Sequence, residues 1–72
     1  MPISGTAPSY LLPHAERYRA IHEFNPTNED ELRLRENDII YVLKKNEDGW
    51  YFGSTEKSGE MGNFPSCHVE PF

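Results

Sequence analysis

Four side chains in this 72-residue chain are of kinds that do chemistry near neutral pH: His14, His22, His68 and the single cysteine, Cys67. Imidazoles move protons, ligate metals or form hydrogen bonds, and a thiolate is a nucleophile. Cys67 and His68 are adjacent in sequence, where side chains diverge, so they make a poor nucleophile and base pair. No phosphate-cradling glycine loop or metalloprotease helix accompanies them. Two or three ligands do not complete the closed tetrahedral set of a zinc site. The sequence therefore predicts no catalytic residue, no metal ligand and no cofactor. The remaining chemistry is that of recognition. Trp50, in "DGWY", offers a broad apolar ring with one N–H, and Glu29, Asp30 and Glu31 form an acidic run suited to a basic partner group. Glu47 and Asp48 could extend that negative rim.

The elements that must position these groups read as strands. No window holds the i, i+3, i+4, i+7 spacing over a helix's length, whereas short apolar alternations are separated by turn chemistry. "RYRAIHEF" reads as a first strand, with Tyr18 and Ala20 on one face and Arg19 and Ile21 on the other. The polar "NPTNEDE" must run along the surface as a long loop. Leu32 and Leu34 share a face, and a turn follows at Arg35-Glu36-Asn37-Asp38, with Asn37 the residue suited to positive φ. Further strands are expected at Ile40 and Val42, over "WYFGST", around Phe64 and at Val69, with "EKSGE" as a hairpin tip and a short 3₁₀ turn after Pro65. The expected fold is all-β, a small five-stranded antiparallel barrel. Its core should be Tyr18, Ala20, Leu32, Leu34, Ile40, Val42, Phe64 and Val69, with Gly53 small because another backbone or ring presses on it.

Residues 1–15, "MPISGTAPSYLLPHA", carry three prolines and no sustained period, and read as a flexible tail or linker ahead of one domain over residues 16–72. A domain this small buries only about 60% of the surface of its unfolded chain, which leaves little room for an enclosed active site. With one cysteine, no internal disulfide can form. No apolar run approaches the roughly 20 residues of a membrane span, so a cytoplasmic location without membrane insertion is the expectation. Seven Lys plus Arg against twelve Asp plus Glu give a net charge of -5, which argues against nucleic acid and favours a basic partner.

These residues, in this order, resemble a Src-homology 3 (SH3) domain over residues 17–72. "AIHEF" sits where that family has ALYDY, and "EDELRL" resembles the end of its RT loop. "ENDIIYV" resembles its diverging turn and following strand, "DGWY" its tryptophan-bearing strand start, and "GNFPSCHV" its G-x-F/I-P-x-N-Y-V ending. "NEDELRLRENDIIYVLKKNEDGW" is most similar to single domains of multi-SH3 adaptors of the sorbin-homology and plenty-of-SH3s kinds, implying a fragment of a longer signalling or cytoskeletal scaffold.

The resemblance implies a monomeric, non-catalytic module that binds proline-rich, Arg- or Lys-containing PxxP peptides in the polyproline II conformation. Such peptides are already extended and lose little entropy on docking. By position in the family pattern, the peptide-binding residues would be His22, Phe24, Glu29, Asp30, Glu31, Trp50, Asn63, Pro65 and His68, with Glu31 the specificity carboxylate. Departures from the pattern concentrate in this set. His22 and His68 replace two tyrosines of one proline pocket, Asn63 replaces an aromatic, Phe24 lacks a hydroxyl, and Cys67 stands where Asn is usual. The two imidazoles could act simply as flat rings, as a pH-sensitive pair, or, against the incomplete tetrahedral set noted above, as metal ligands. The losses also open a second reading, an atypical SH3 domain that binds a folded partner, such as ubiquitin or another domain, or a peptide without PxxP.

Overall fold

Period-two alternation places Tyr18 and Ala20 on one face of a strand, and the computed structural model, which describes residues 15–72, buries both in β1 (Glu16–Ala20). The expected tail over residues 1–15 lies, except for Ala15, outside the described residues. Four further strands follow: β2 (Ile39–Lys45), β3 (Trp50–Thr55), β4 (Met61–Pro65) and β5 (Val69–Pro71). A 3₁₀ turn, Ser66–His68, begins right after Pro65, whose φ of -69° suits the change of direction. The strands form one antiparallel sheet in the order β4-β3-β2-β1-β5, curled into a small barrel around a single core.

That core is Tyr18, Ala20, Leu32, Leu34, Ile40, Val42, Phe64 and Val69, the set that the alternation predicts. Phe64, Leu32, Leu34 and Ile40 are its largest fully buried side chains, each contributing about 1.5–3 kcal/mol relative to an exposed position. Tight curvature brings backbones together at Gly53, where a Cβ would stand 2.4 Å from the carbonyl oxygen of Tyr41 on the paired strand. A register shift between Val42 and Lys44 leaves Leu43 outside the ladder and partly exposed. Around the rim, Lys45 pairs with Glu16 and lies over the rings of Tyr18 and Tyr51, and Arg19 pairs with Glu70.

One expected element is shorter than its alternation suggests. The first strand was expected to run through Phe24, but β1 ends at Ala20, and His22 lies in a bend. The cause is a change of partner. Asn37 donates to the Ala20 carbonyl and Ala20 donates to the Asp38 carbonyl, which closes the ladder with β2. The next two amides, of Ile21 and His22, both turn to the carbonyl of His68 at 2.8 and 3.4 Å. Beyond them the chain folds into a long two-armed loop. Phe24 and Leu34 exchange backbone hydrogen bonds of 2.9 and 3.0 Å across it, and Leu32 and Leu34 reach inward to the core. The loop closes on a turn at residues 35–38. There Asn37 takes φ 76°, Asp38 accepts from the Arg35 amide, and Arg19 donates to the Asn37 side chain.

Candidate peptide-binding groove

Trp50 opens β3, and the preceding loop fixes its position. Gly49 adopts φ 92°, where an L-residue would be strained, and Asp48 accepts from the Trp50 amide at 3.0 Å. The Gly49 carbonyl then accepts from the Ser66 amide at 2.8 Å, fastening this loop to the 3₁₀ turn. Trp50 and Pro65 thus face each other as paired residues of β3 and β4. Tyr51 points the opposite way and packs against the core beside Phe64 and Tyr18.

The rings meet edge to face in one continuous row. Trp50 and Phe24 have centroids 5.9 Å apart, Phe24 and His68 5.7 Å, and His68 and His22 5.7 Å, with interplanar angles of 76°, 83° and 79°. His22 is exposed, and the other three rings and Pro65 are half-buried. Such an arrangement leaves ring faces and edges available to a partner while each ring restrains its neighbour. The bend after Ala20 is what makes the row possible, because the His68 carbonyl that captures the Ile21 and His22 amides sets the two imidazoles side by side.

Beyond Trp50 lies a cavity of about 270 Å³ between the long loop and residues 46–49. Asp30, Glu31 and Asp48 supply its negative charge, with Asn28, Asn46 and Asn63 completing the wall. Glu29 and Glu47 are exposed and do not line it. The Glu31 carboxylate is already engaged. Its Oε1 accepts from the amide and hydroxyl of Thr27 and from the amide of Asn28, at 2.7, 3.0 and 3.2 Å, while Oε2 accepts from the Asn28 side chain at 3.0 Å. The Thr27 amide first, and the Asn28 side chain next, hold its pKa below the ordinary carboxylate value. Among the described residues, the Asp30 carboxylate takes no hydrogen bond.

Asn63, which the sequence marks as a missing aromatic, fastens the loop to the barrel. Its amide and side-chain Nδ2 both donate to the Asp30 carbonyl, at 2.8 and 3.2 Å, and its carbonyl accepts from Leu32 at 2.8 Å. Gly62 beside it allows this approach, since a Cβ there would stand 2.8 Å from the Leu32 nitrogen. The structure therefore brings together His22, Phe24, Trp50, Pro65 and His68 as one face and Asp30, Glu31 and Asn63 as an adjoining cavity. Sequence reasoning missed Asn28 and Asn46, because neither the loop's tip nor its closure has a residue period to read. Among the described residues, no group of three or more His, Cys, Asp or Glu could hold a metal, and no helix is long and apolar enough to cross a membrane.

A small antiparallel barrel carrying a row of rings beside an acidic cavity defines a class, that of β-barrel protein-interaction modules. Residues 20–70 match the family model described as a variant SH3 domain, and the chain belongs to the SH3 domain family, whose members are non-catalytic interaction modules. It is 42% identical over 64 residues to the sorbin and SH3 domain-containing protein 1 homolog of Caenorhabditis elegans, an alignment that covers 89% of this chain but 6% of that protein. The SH3 domain of yeast NBP2 superposes with a TM-score of 0.74 at 33% identity, covering 79% of this chain and 97% of that one. The C-terminal SH3 domain of myosin IB from Entamoeba histolytica, solved bound to the EhFP10(GEF) peptide, superposes with a TM-score of 0.74 at 29% identity, covering 81% and 93%.

Proposed function

We propose that residues 16–72 form a monomeric binding unit of a cytoplasmic adaptor or scaffold, and that it docks a proline-rich peptide in the polyproline II conformation along the ring row. The observation that carries this reading is the unbroken contact series His22, His68, Phe24, Trp50, which ends at an acidic cavity. Proline rings present flat apolar faces to such a row, and the extended backbone between them keeps its carbonyls free for donors. Pro65 and Trp50 together form the divide between the proline-binding rings and the cavity.

A basic ligand residue would enter the cavity beyond Trp50. Asp30 is the acceptor with the most unused capacity there, because Glu31 is spent on closing its own loop. An arginine would then be held chiefly by Asp30, with Glu31 and Asp48 supplying field rather than first contact. Affinity of about 10 μM, or about -7 kcal/mol, suits a shallow groove with few anchors. The peptide-bound myosin IB neighbour and the sorbin-type relative support peptide binding in general.

The test is an NMR titration with an Arg-flanked PxxP peptide. Shifts at the Trp50 indole, Phe24 and Asp30 are expected, and they should vanish when the ligand prolines become alanine. A silent groove, with shifts instead from a folded partner such as ubiquitin, would favour the reading that the replacements at His22, Asn63 and His68 have redirected this face.

A further inference from the structure

His68 sits at the centre of the ring row, its edge or face against both His22 and Phe24. Among the described residues, its Nδ1 is the one side-chain nitrogen or oxygen that is buried without a hydrogen-bond partner, and its Nε2 is not enclosed in that way. A neutral imidazole carries one N–H and one lone pair, and the environment decides which nitrogen has which. Burying an N–H with no acceptor forfeits a donor outright, and such orphans are rarer in folded proteins than idle acceptors. The lone pair therefore belongs on Nδ1 and the proton on Nε2.

We propose that His68 is locked in the Nε2–H tautomer, so that the proline pocket presents a hydrogen-bond donor and not an acceptor at this position. The inference rests on the groove reading above and names what the groove selects there: a backbone carbonyl of the ligand, at a residue with no N–H to contribute. The complementarity is chemical. Prolines carry carbonyls but no amide hydrogens, so the proline positions of a PxxP segment offer acceptors alone. The opposite tautomer would turn a lone pair toward a ligand that has nothing to donate to it. His22, exposed at the end of the row, has no such constraint and can take either form.

Two measurements test this. Long-range proton–nitrogen NMR of the free protein above neutral pH should show the Nε2–H pattern for His68, with His22 as an internal comparison free to exchange between tautomers. His68→Phe keeps a flat ring and removes the donor, and should weaken an Arg-flanked PxxP peptide about fivefold while Trp50 still responds. His68→Tyr, which restores a donor, should recover most of that loss. An Nδ1–H or evenly mixed pattern at His68, or wild-type affinity in His68→Phe, overturns the assignment and leaves the groove reading intact. Should the peptide fail to move Trp50 in the wild-type protein, the groove reading falls, and the spectrum of the free protein still decides the tautomer.

Discussion

Thr27 and Glu31 are joined twice, since the amide and the hydroxyl of Thr27 both donate to the same Oε1 of Glu31, at 2.7 and 3.0 Å. With the two bonds from Asn28, this makes the carboxylate the internal cap of the long loop's tip.

The cap should be pH-dependent in a defined sense. Because folding lowers the Glu31 pKa, its stabilising contribution is fully present above the ordinary carboxylate value and is lost as pH falls through the lowered one. The protection factors of the Thr27 and Asn28 amides, taken against the intrinsic exchange rate at each pH, should therefore fall in acid while those of the β2 and β3 amides hold. Glu31→Ala should show the lowered protection at every pH. Equal protection of the tip in Glu31→Ala and wild type would refute this.

Asp30→Asn separates the two carboxylates. If Asp30 supplies the open acceptor, its replacement should weaken an Arg-flanked peptide by about fivefold to tenfold and flatten the salt dependence of binding. Isothermal titration at two salt concentrations reads both effects, and the peptide lacking arginine should not respond to the substitution.

Trp50→Ala should abolish most peptide binding, a loss of about 2 kcal/mol or more, with the thermal unfolding midpoint little changed. Trp50 is half-buried at a strand start and is not part of the core cluster, so binding and stability should separate there. A large fall in the midpoint would show that the ring holds the barrel instead.

Gly62→Ala should cost about 1–3 kcal/mol of stability and also disturb the cavity. The new methyl would meet backbone atoms of Leu32, Glu31 and Asp30 at 2.8–3.1 Å, so the long loop must move away from β4. Calorimetry gives the first effect. Loss of the Asn63 to Asp30 amide protection gives the second.

Six of the eight core residues, Tyr18, Ala20, Ile40, Val42, Phe64 and Val69, were legible because alternation along a strand is a direct record of which face meets the core, and Leu32 and Leu34 because the same spacing of two persists in an arm of the long loop. Asn37 at positive φ and Gly53 under the Tyr41 carbonyl were legible for a similar reason, since few residue types meet those local demands. The end of β1 was not. Alternation continues through Phe24, but the partner strand leaves at Ala20, and a partner's departure is a property of the other strand and of the 3₁₀ turn. The groove was legible only in outline. Its ring types could be picked out through family likeness, whereas the commitment of Glu31 to its own loop depends on contacts within an aperiodic segment. Asn63 shows the limit most clearly, for its type suggested a lost ligand contact and its hydrogen bonds show a fastening between loop and sheet.

The pairing of β1 with β5 places the points where the described chain enters and leaves the barrel side by side, with Phe72 donating to the Arg17 carbonyl at 3.0 Å and Tyr18 opposite Pro71. Tension carried along a longer polypeptide would load that pair from its open end, breaking its hydrogen bonds one after another like a zip instead of all at once in shear. Loaded in this way, the pair should yield at low force. Single-molecule pulling from residues 16 and 72 should find it among the mechanically softer barrels, whatever its thermal stability.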